Sequence, residues 1–219
     1  MALVDLSQPF SSGMFSQKLF PPVSLERCVR IEERGVNVTA IAAGVHAGTH
    51  LDAPRHFFAE GRTIDQLKLE EASGTAVCWT VRRDGGEEIT VADLERQSPA
   101  LEEDDILFLH TGWGVHFHTD HPRYHVHPYL SLEAAEWLVS RRIKLLAVDV
   151  ATPDQPEAVR PVGVRFDWPV HHLLLGNGIL IAEHLAHLDE VAGRRFTAFA
   201  LPVPYVGSDG APARIVAQT

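Results

Sequence analysis

Residues 46–57 read HAGTHLDAPRHF, with His46, His50, Asp52 and His56 at even positions and Ala47, Thr49, Leu51, Ala53 and Arg55 at the odd ones. Imidazole nitrogens with a carboxylate form the mixed ligand set of zinc, manganese or iron rather than the all-oxygen set of calcium. A helix would align His46 with His50, but Gly48, the β-branched Thr49 and Pro54 argue against one. In an extended chain rising about 3.3 Å per residue, His50 and Asp52 stand roughly 7 Å apart on one side, within reach of one cation. His46, roughly 13 Å from His50 on the same geometry, joins them only if the chain folds back, and Gly48 lacks the Cβ that would hinder this. Three ligands leave open positions for water and substrate. The competing reading is a strand that ends at the surface with solvated histidines. Four ligand-type residues on one face, interleaved with Gly48 and Pro54, weigh against it.

Other stretches carry weaker chemistry. HTGWGVHFHTDHPRYHVHP (110–128) holds six histidines, but Gly114, Pro122 and Pro128 mark it as a connecting surface loop, with substrate contact as the second reading. Phe57, Phe58, Trp113 and Trp168 are candidates for the wall of an apolar pocket for an aromatic substrate, against plain core packing. Asp149, closing an apolar run, is a candidate to hold a substrate amine or order a site loop, against a cap on the turn with Thr152. No GxSxG elbow is present for a serine nucleophile.

These residues need elements to position them. VNVTAIAAGV (36–45) alternates like a strand that feeds directly into the motif, and TAVCWTV (75–81) and DILFLHTG (105–112) are two more. SLEAAEWLVSRRI (131–143) opens on Ser131 and spaces Leu132, Ala135, Leu138 and Val139 as a helix, with KLLAVDV (144–150) following as a strand. A short helix starts near Pro169 and stops at GNG (176–178), because Pro suits the first turn and Gly the stop. ILIAEHL then runs as a strand ending near Glu183, and RRFTAFALPVPYVG (194–207) is one more, placed at an edge or bent by Pro202 and Pro204. The total is a mixed α/β domain rich in strands.

The chain has 219 residues, 45% hydrophobic, which suits one domain spanning 1–219 with a substantial core. Lys and Arg total 19 against 29 Asp and Glu, a net charge of -10 with no basic cluster, which disfavours nucleic-acid and anionic-membrane partners. Cys28 and Cys78 lie far apart with no CxxC, and both read as reduced core residues. MALVDLSQPF has no basic start followed by a long apolar run, so a cytoplasmic protein is expected.

HAGTHLDAPRHF resembles the HxGTHxDxPxHF signature of the cyclase family of metal-dependent hydrolases, which includes bacterial kynurenine formamidase and isatin hydrolase. The similarity continues through DLSQPF, HTGW (110–113), LEAAEWL (132–138), AVDVATPD (147–154), PVHHLLLGNGILIAEHL (169–185) and FALPVPYVGSDGAPARIVA (199–217). One departure is SSGMFSQKLFPPV after DLSQPF, where kynurenine formamidases carry a tryptophan-proline-glycine segment.

The resemblance implies a three-layer β/β/α, swivelling-type domain with a barrel-like strand core, assembled as a homodimer or homotetramer. It implies metal ligation by His46, His50 and Asp52, with Asp52 bridging to a second metal held by His171 and Glu183, and His56 as the acid/base. The implied cofactor is zinc or manganese, one or two per subunit. The implied reaction is cleavage of a C–N bond in a small formamide or cyclic amide, with arylformamidase activity in tryptophan catabolism as the named example. A metal-dependent lyase or dehydratase, with His56 abstracting a carbon-bound proton, is the alternative; a binding protein without turnover has no use for His56.

Overall fold

The computed structural model describes residues 1–161, 163 and 165–219. In chain order the elements begin with β1 (Leu3–Asp5), β2 (Ser24–Val29), α1 (Ile31–Arg34), β3 (Val38–Ala42) and β4 (His50–Asp52). β5 (Ser73–Thr80), β6 (Glu88–Ile89), α2 (Val91–Glu95), β7 (Ile106–His110), α3 (His121–Tyr124) and β8 (Tyr129–Leu130) follow. The last are α4 (Leu132–Ser140), β9 (Leu145–Val148), α5 (Pro169–Gly176), β10 (Leu180–Glu183), β11 (Arg195–Pro202) and β12 (Gly210–Gln218).

The main sheet runs β1-β12-β11-β5-β7-β9-β10-β4, and β4 also pairs with β12, which closes seven strands into a barrel. Residues alternate across its wall. Ala76, Cys78, Ile106, Phe108, Leu145, Ala147, Leu180 and Ala182 point into one buried cluster with Leu51, Ala198, Ala200, Ala211 and Ala217. Their neighbours Val77, Leu107, Leu109, Leu146, Val148 and Ile181 join a second cluster with Leu138 of α4 and Leu174 of α5. The many alanines on the inner side let so small a barrel fill without strain. The result is a mixed α/β fold with the barrel-like strand core that the resemblance implies, with α4 and α5 packed on the side of parallel β5, β7, β9 and β10.

Local signals read in the sequence have physical counterparts. Ser131 caps α4 by accepting from the Ala134 N–H, and α5 spans the predicted short helix with Pro169 in its first turn.

Several expectations need correction. The 36–45 segment does not feed the motif as a strand: β3 ends at Ala42, pairs only with β2, and is exposed along its whole length. Its alternation marks a two-stranded hairpin outside the barrel rather than a half-buried strand. Cys28 lies exposed in that hairpin, while Cys78 is buried, and burial pushes its thiol up to about 12. β11 is neither edge nor broken, because it lies between β12 and β5 and Pro202 falls at its end. β12, nine residues long, closes the barrel, yet Pro212 and Arg214 hid its pattern. The 110–128 stretch is only partly a surface loop: Trp113, Phe117, Tyr124 and His127 are buried in it.

Candidate metal and catalytic site

β4 is only three residues long, and its neighbours make the site. Its register sets Glu183 of β10 opposite His50 and Ile181 opposite Asp52, while on the other side Gly210 of β12 faces Asp52. Because side chains alternate, Leu51 points into the barrel and His50 and Asp52 leave it together, toward the helical layer. Before β4 the chain folds back through Gly48, whose φ of 65° is left-handed and where a Cβ would lie 2.7 Å from the Met14 terminal methyl. The buried Thr49 hydroxyl fixes this turn by donating to the His184 carbonyl (2.7 Å) and accepting from the Gln8 N–H (2.8 Å). The fold-back brings the His46 and His50 rings to 5.0 Å. After β4, Pro54 opens a single 3₁₀ turn that presents His56, and Gly61 packs against the Pro54 backbone where a Cβ would be 2.6 Å away.

His171, in the first turn of α5, completes the cluster. The buried Asp154 accepts from the N–H groups of Val170 (2.9 Å) and His171 (3.0 Å) and from His171 Nδ1 (2.6 Å), so one carboxylate caps the helix and orients the ring. His171 Nε2 then stands 3.2 Å from Glu183 Oε1 and 3.4 Å from Asp52 Oδ2. His50 is arranged in the same way: Nδ1 donates to the Gly48 carbonyl (2.8 Å), leaving Nε2 3.2 Å from Asp52 Oδ1 and 3.5 Å from Glu183 Oε2. His46 turns Nδ1 to Asp52 Oδ1 (2.7 Å) and Nε2 to Asp209 Oδ2 (2.7 Å).

Each outer ring nitrogen is thus anchored, and each inner one faces a carboxylate. His50 Nε2, Asp52 Oδ2 and Glu183 Oε1 are buried without a hydrogen-bond partner, a state that costs free energy unless something else satisfies them. His46, His50 and Asp52 form one group whose ligand atoms lie within 4.8 Å of one another, and Asp52, His171 and Glu183 form a second. Both fit a divalent cation, with Asp52 common to the two, and the anchored outer nitrogens match the outer support that metal-binding histidines use.

The electrostatics agree. Burial opposes ionisation of Asp52, but His46 and His50 hold its carboxyl well below the usual range. Burial alone would lower His46, yet Asp52 and Asp209 push it up to about 10. His171 likewise rises well above its ordinary value against burial, through Asp154, Asp52 and Glu183. The crowded carboxylates therefore draw positive charge into the cluster, and burial with the Asp52 charge pushes Glu183 up. His56 moves the other way, to about 4, because burial and the neighbouring His46 and His171 outweigh the pull of Asp52. It is neutral at pH 7 and available as a base.

A cavity of about 250 Å³ opens onto the cluster, with His46, His56, His171 and Glu183 on its polar side and Phe20, Phe57 and Trp168 among its apolar walls. The Phe57 ring lies 4.7 Å from that of His171. Trp168 precedes α5 in a left-handed conformation (φ 52°) unusual for so large a side chain. The segment in which the chain departs from the formamidase pattern supplies Gln17, Leu19 and Phe20 to this cavity.

Other predicted pocket residues lie elsewhere. Trp113 is buried in the core and donates its indole N–H to the Arg123 carbonyl. Phe58 packs against Gly176 and His172 instead of facing the cavity. Asp149 accepts from the Thr111 and Gly112 N–H groups and the Thr111 hydroxyl, so it orders the turn after β7 and does not cap a turn with Thr152. Asp154 and Asp209 were missed as site residues. Their motifs were visible, but the contacts join positions up to 163 residues apart.

Comparison with known proteins agrees with this arrangement. The Cyclase family model matches residues 4–155, and the chain belongs to this family of metal-dependent hydrolases. A kynurenine formamidase of Bacillus cereus (strain ATCC 14579) is 32% identical over 217 residues, covering 97% of this chain and 95% of the relative. Among solved structures, isatin hydrolase A from Ralstonia solanacearum superposes with a TM-score of 0.84 at 22% identity, over 99% of this chain and 91% of that one. A potential metal-dependent hydrolase with cyclase activity gives 0.79 at 24% identity, over 99% and 96%. These two likenesses establish the fold.

Proposed function

We propose that the chain is a metal-dependent amidohydrolase that cleaves the C–N bond of a small formamide or cyclic amide, in the manner of an arylformamidase. The observation that carries this is the set of buried, unpartnered inward atoms His50 Nε2, Asp52 Oδ2 and Glu183 Oε1, with Glu183 and His56 lining one cavity. His46, His50 and Asp52 would hold one zinc or manganese ion, and Asp52, His171 and Glu183 a second. Such an ion lowers the pKa of water toward neutrality and polarises a carbonyl.

His56 does the proton work. It accepts a proton from the attacking water and delivers one to the departing nitrogen, which leaves poorly as an anion. Phe20, Phe57 and Trp168 hold a flat, apolar substrate face beside the cluster. The reading takes 1–219 as one domain, supported by the pairing of β1 with β12 from the two ends of the sequence. It takes the protein as cytoplasmic and as a homo-oligomer, the latter supported by the apolar residues Val38 and Ile41 exposed on the β2–β3 hairpin. No helix among the described residues is long and apolar enough to cross a membrane.

The test is metal analysis of the purified protein with assays on N-formylkynurenine and isatin, before and after chelation. Turnover that disappears with the metal and returns on adding Zn²⁺ or Mn²⁺ supports the proposal, and turnover indifferent to chelation overturns it. His56→Ala should keep its metal and lose about 10²–10⁴-fold in kcat. Incorporation of solvent oxygen-18 into the product separates hydrolysis from the lyase alternative.

A further inference from the structure

Asp209 connects two groups to which the proposed hydrolysis gives different tasks. Its Oδ2 lies 2.7 Å from His46 Nε2 and 3.3 Å from His56 Nδ1. The two imidazoles stack face to face beside it, with centroids 3.9 Å apart.

The backbone sets this carboxylate in place. The Asp209 carbonyl accepts from the Ala53 N–H (2.9 Å), and the Ser208 carbonyl accepts from the Ile64 N–H (2.9 Å). The Gly207 N–H donates to Asp65 (2.9 Å). The 207–209 turn is thereby tied to both sides of the Pro54 turn that carries His56. The next residue, Gly210, faces Asp52 across the β12–β4 pairing, and a Cβ there would lie 2.7 Å from His46 Cε1. Only glycine lets the His46 ring sit between Asp52 and Asp209.

We propose that Asp209 is a positioning residue that couples ligand to proton carrier. By taking His46 Nε2 it directs Nδ1 to the cluster, and by taking His56 Nδ1 it leaves His56 Nε2 as the nitrogen free to exchange protons with substrate. The assignment rests on the hydrolase reading of the site. Its two halves are separable, because the hold on His46 acts on metal affinity and the hold on His56 acts on turnover. Carboxylates that orient metal-binding histidines are worth about 10–100-fold in affinity or activity.

The experiment compares Asp209→Asn with the wild type, and His56→Ala with the double variant. Zn²⁺ affinity is measured by chelator competition and kcat and KM are measured at saturating Zn²⁺. Asp209→Asn is expected to weaken Zn²⁺ binding about 10–100-fold. At saturating metal it should lower kcat with KM unchanged, and the kcat loss should vanish in the His56→Ala background. A thermal melt within a few degrees of wild type shows that the fold is intact; should the Asn variant not fold, Asp209→Glu is measured in the same way. Wild-type Zn²⁺ affinity in the folded variant overturns the His46 half. A kcat loss that persists undiminished without His56 overturns the His56 half. If the wild type itself binds no Zn²⁺ at these residues, the metal-site reading fails, and with it this proposal; a wild type that binds and turns over while the variant matches it in both respects defeats the proposal alone.

Discussion

Residues 46–56 carry three histidines and residues 110–127 carry six, yet the shorter stretch builds the cluster. In the first, His46 and His50 keep one nitrogen anchored outside and turn the other toward Asp52. In the second, among the described residues, no ring is paired with a carboxylate. His110 lies between the Thr80 hydroxyl and the Arg82 guanidinium. The buried His127 donates to the Pro128 carbonyl, while His118 and His125 rest against Phe117 and Phe15. Among the described residues, no group fit for a metal includes a histidine from 110–127. What separates the two stretches is therefore convergence on carboxylates, supplied to the first by Asp52, Glu183 and Asp209, rather than histidine number.

The severest test of that difference is Asp52→Ala. Asp52 is common to the two ligand groups described above, and without it neither keeps three ligands. The expected outcome is loss of bound metal by elemental analysis and turnover at background. Bound metal at wild-type stoichiometry would show that the carboxylate is not the hub. Asp154→Ala should be milder. It leaves every ligand present but frees the His171 ring and uncaps α5, so metal affinity falls about 10–100-fold and the helix loses roughly 1 kcal/mol. Chelator competition and a melt measure the two effects on one sample.

The sequence carries the first stretch well because its ligands are local: period-two alternation set His50 and Asp52 on one side, and Gly48 and Pro54 marked both bends. The barrel strands of the parallel segment were also legible, since Ile106, Leu107, Phe108 and Leu109 form an apolar run that only a strand buried on both sides explains. Closure was not. β12 interrupts its apolar residues with Pro212 and Arg214, and it is the strand that delivers Asp209. The β2–β3 hairpin misled for the opposite reason, because a regular alternation there buries nothing. Asp154 and Asp209 act through side-chain bonds spanning 17 and 163 residues, for which no local spacing exists.

The second stretch should respond to pH through stability. Burial lowers His127 to about 4 from an ordinary value of 6.5. Well above pH 6.5 the folded and unfolded chains bind no differing proton there. As pH falls below 6.5 the unfolded imidazole takes up a proton that the folded one refuses, so stability is lost, by about 2 kcal/mol at pH 5. Urea unfolding of wild type and His127→Gln at pH 7 and pH 5 checks this. The wild type should lose about 2 kcal/mol more than the variant between the two pH values. Equal losses would mean that His127 is not a source of the dependence.

The smallest effect closes the comparison. His118 is exposed, and its ring meets only the edge of Phe117 at 4.7 Å among its aromatic neighbours. With no carboxylate of the cluster near it, His118→Ala should change stability by no more than about 0.5 kcal/mol. Metal content and kcat should match wild type, read by elemental analysis and the same assay used for Asp52→Ala. A fall in either would mean that the loop after β7 reaches the reaction by a path that the folded chain does not display. Unchanged values in His118→Ala beside lost metal in Asp52→Ala would show that an imidazole acquires metal chemistry here only where the barrel closure sets carboxylates before it.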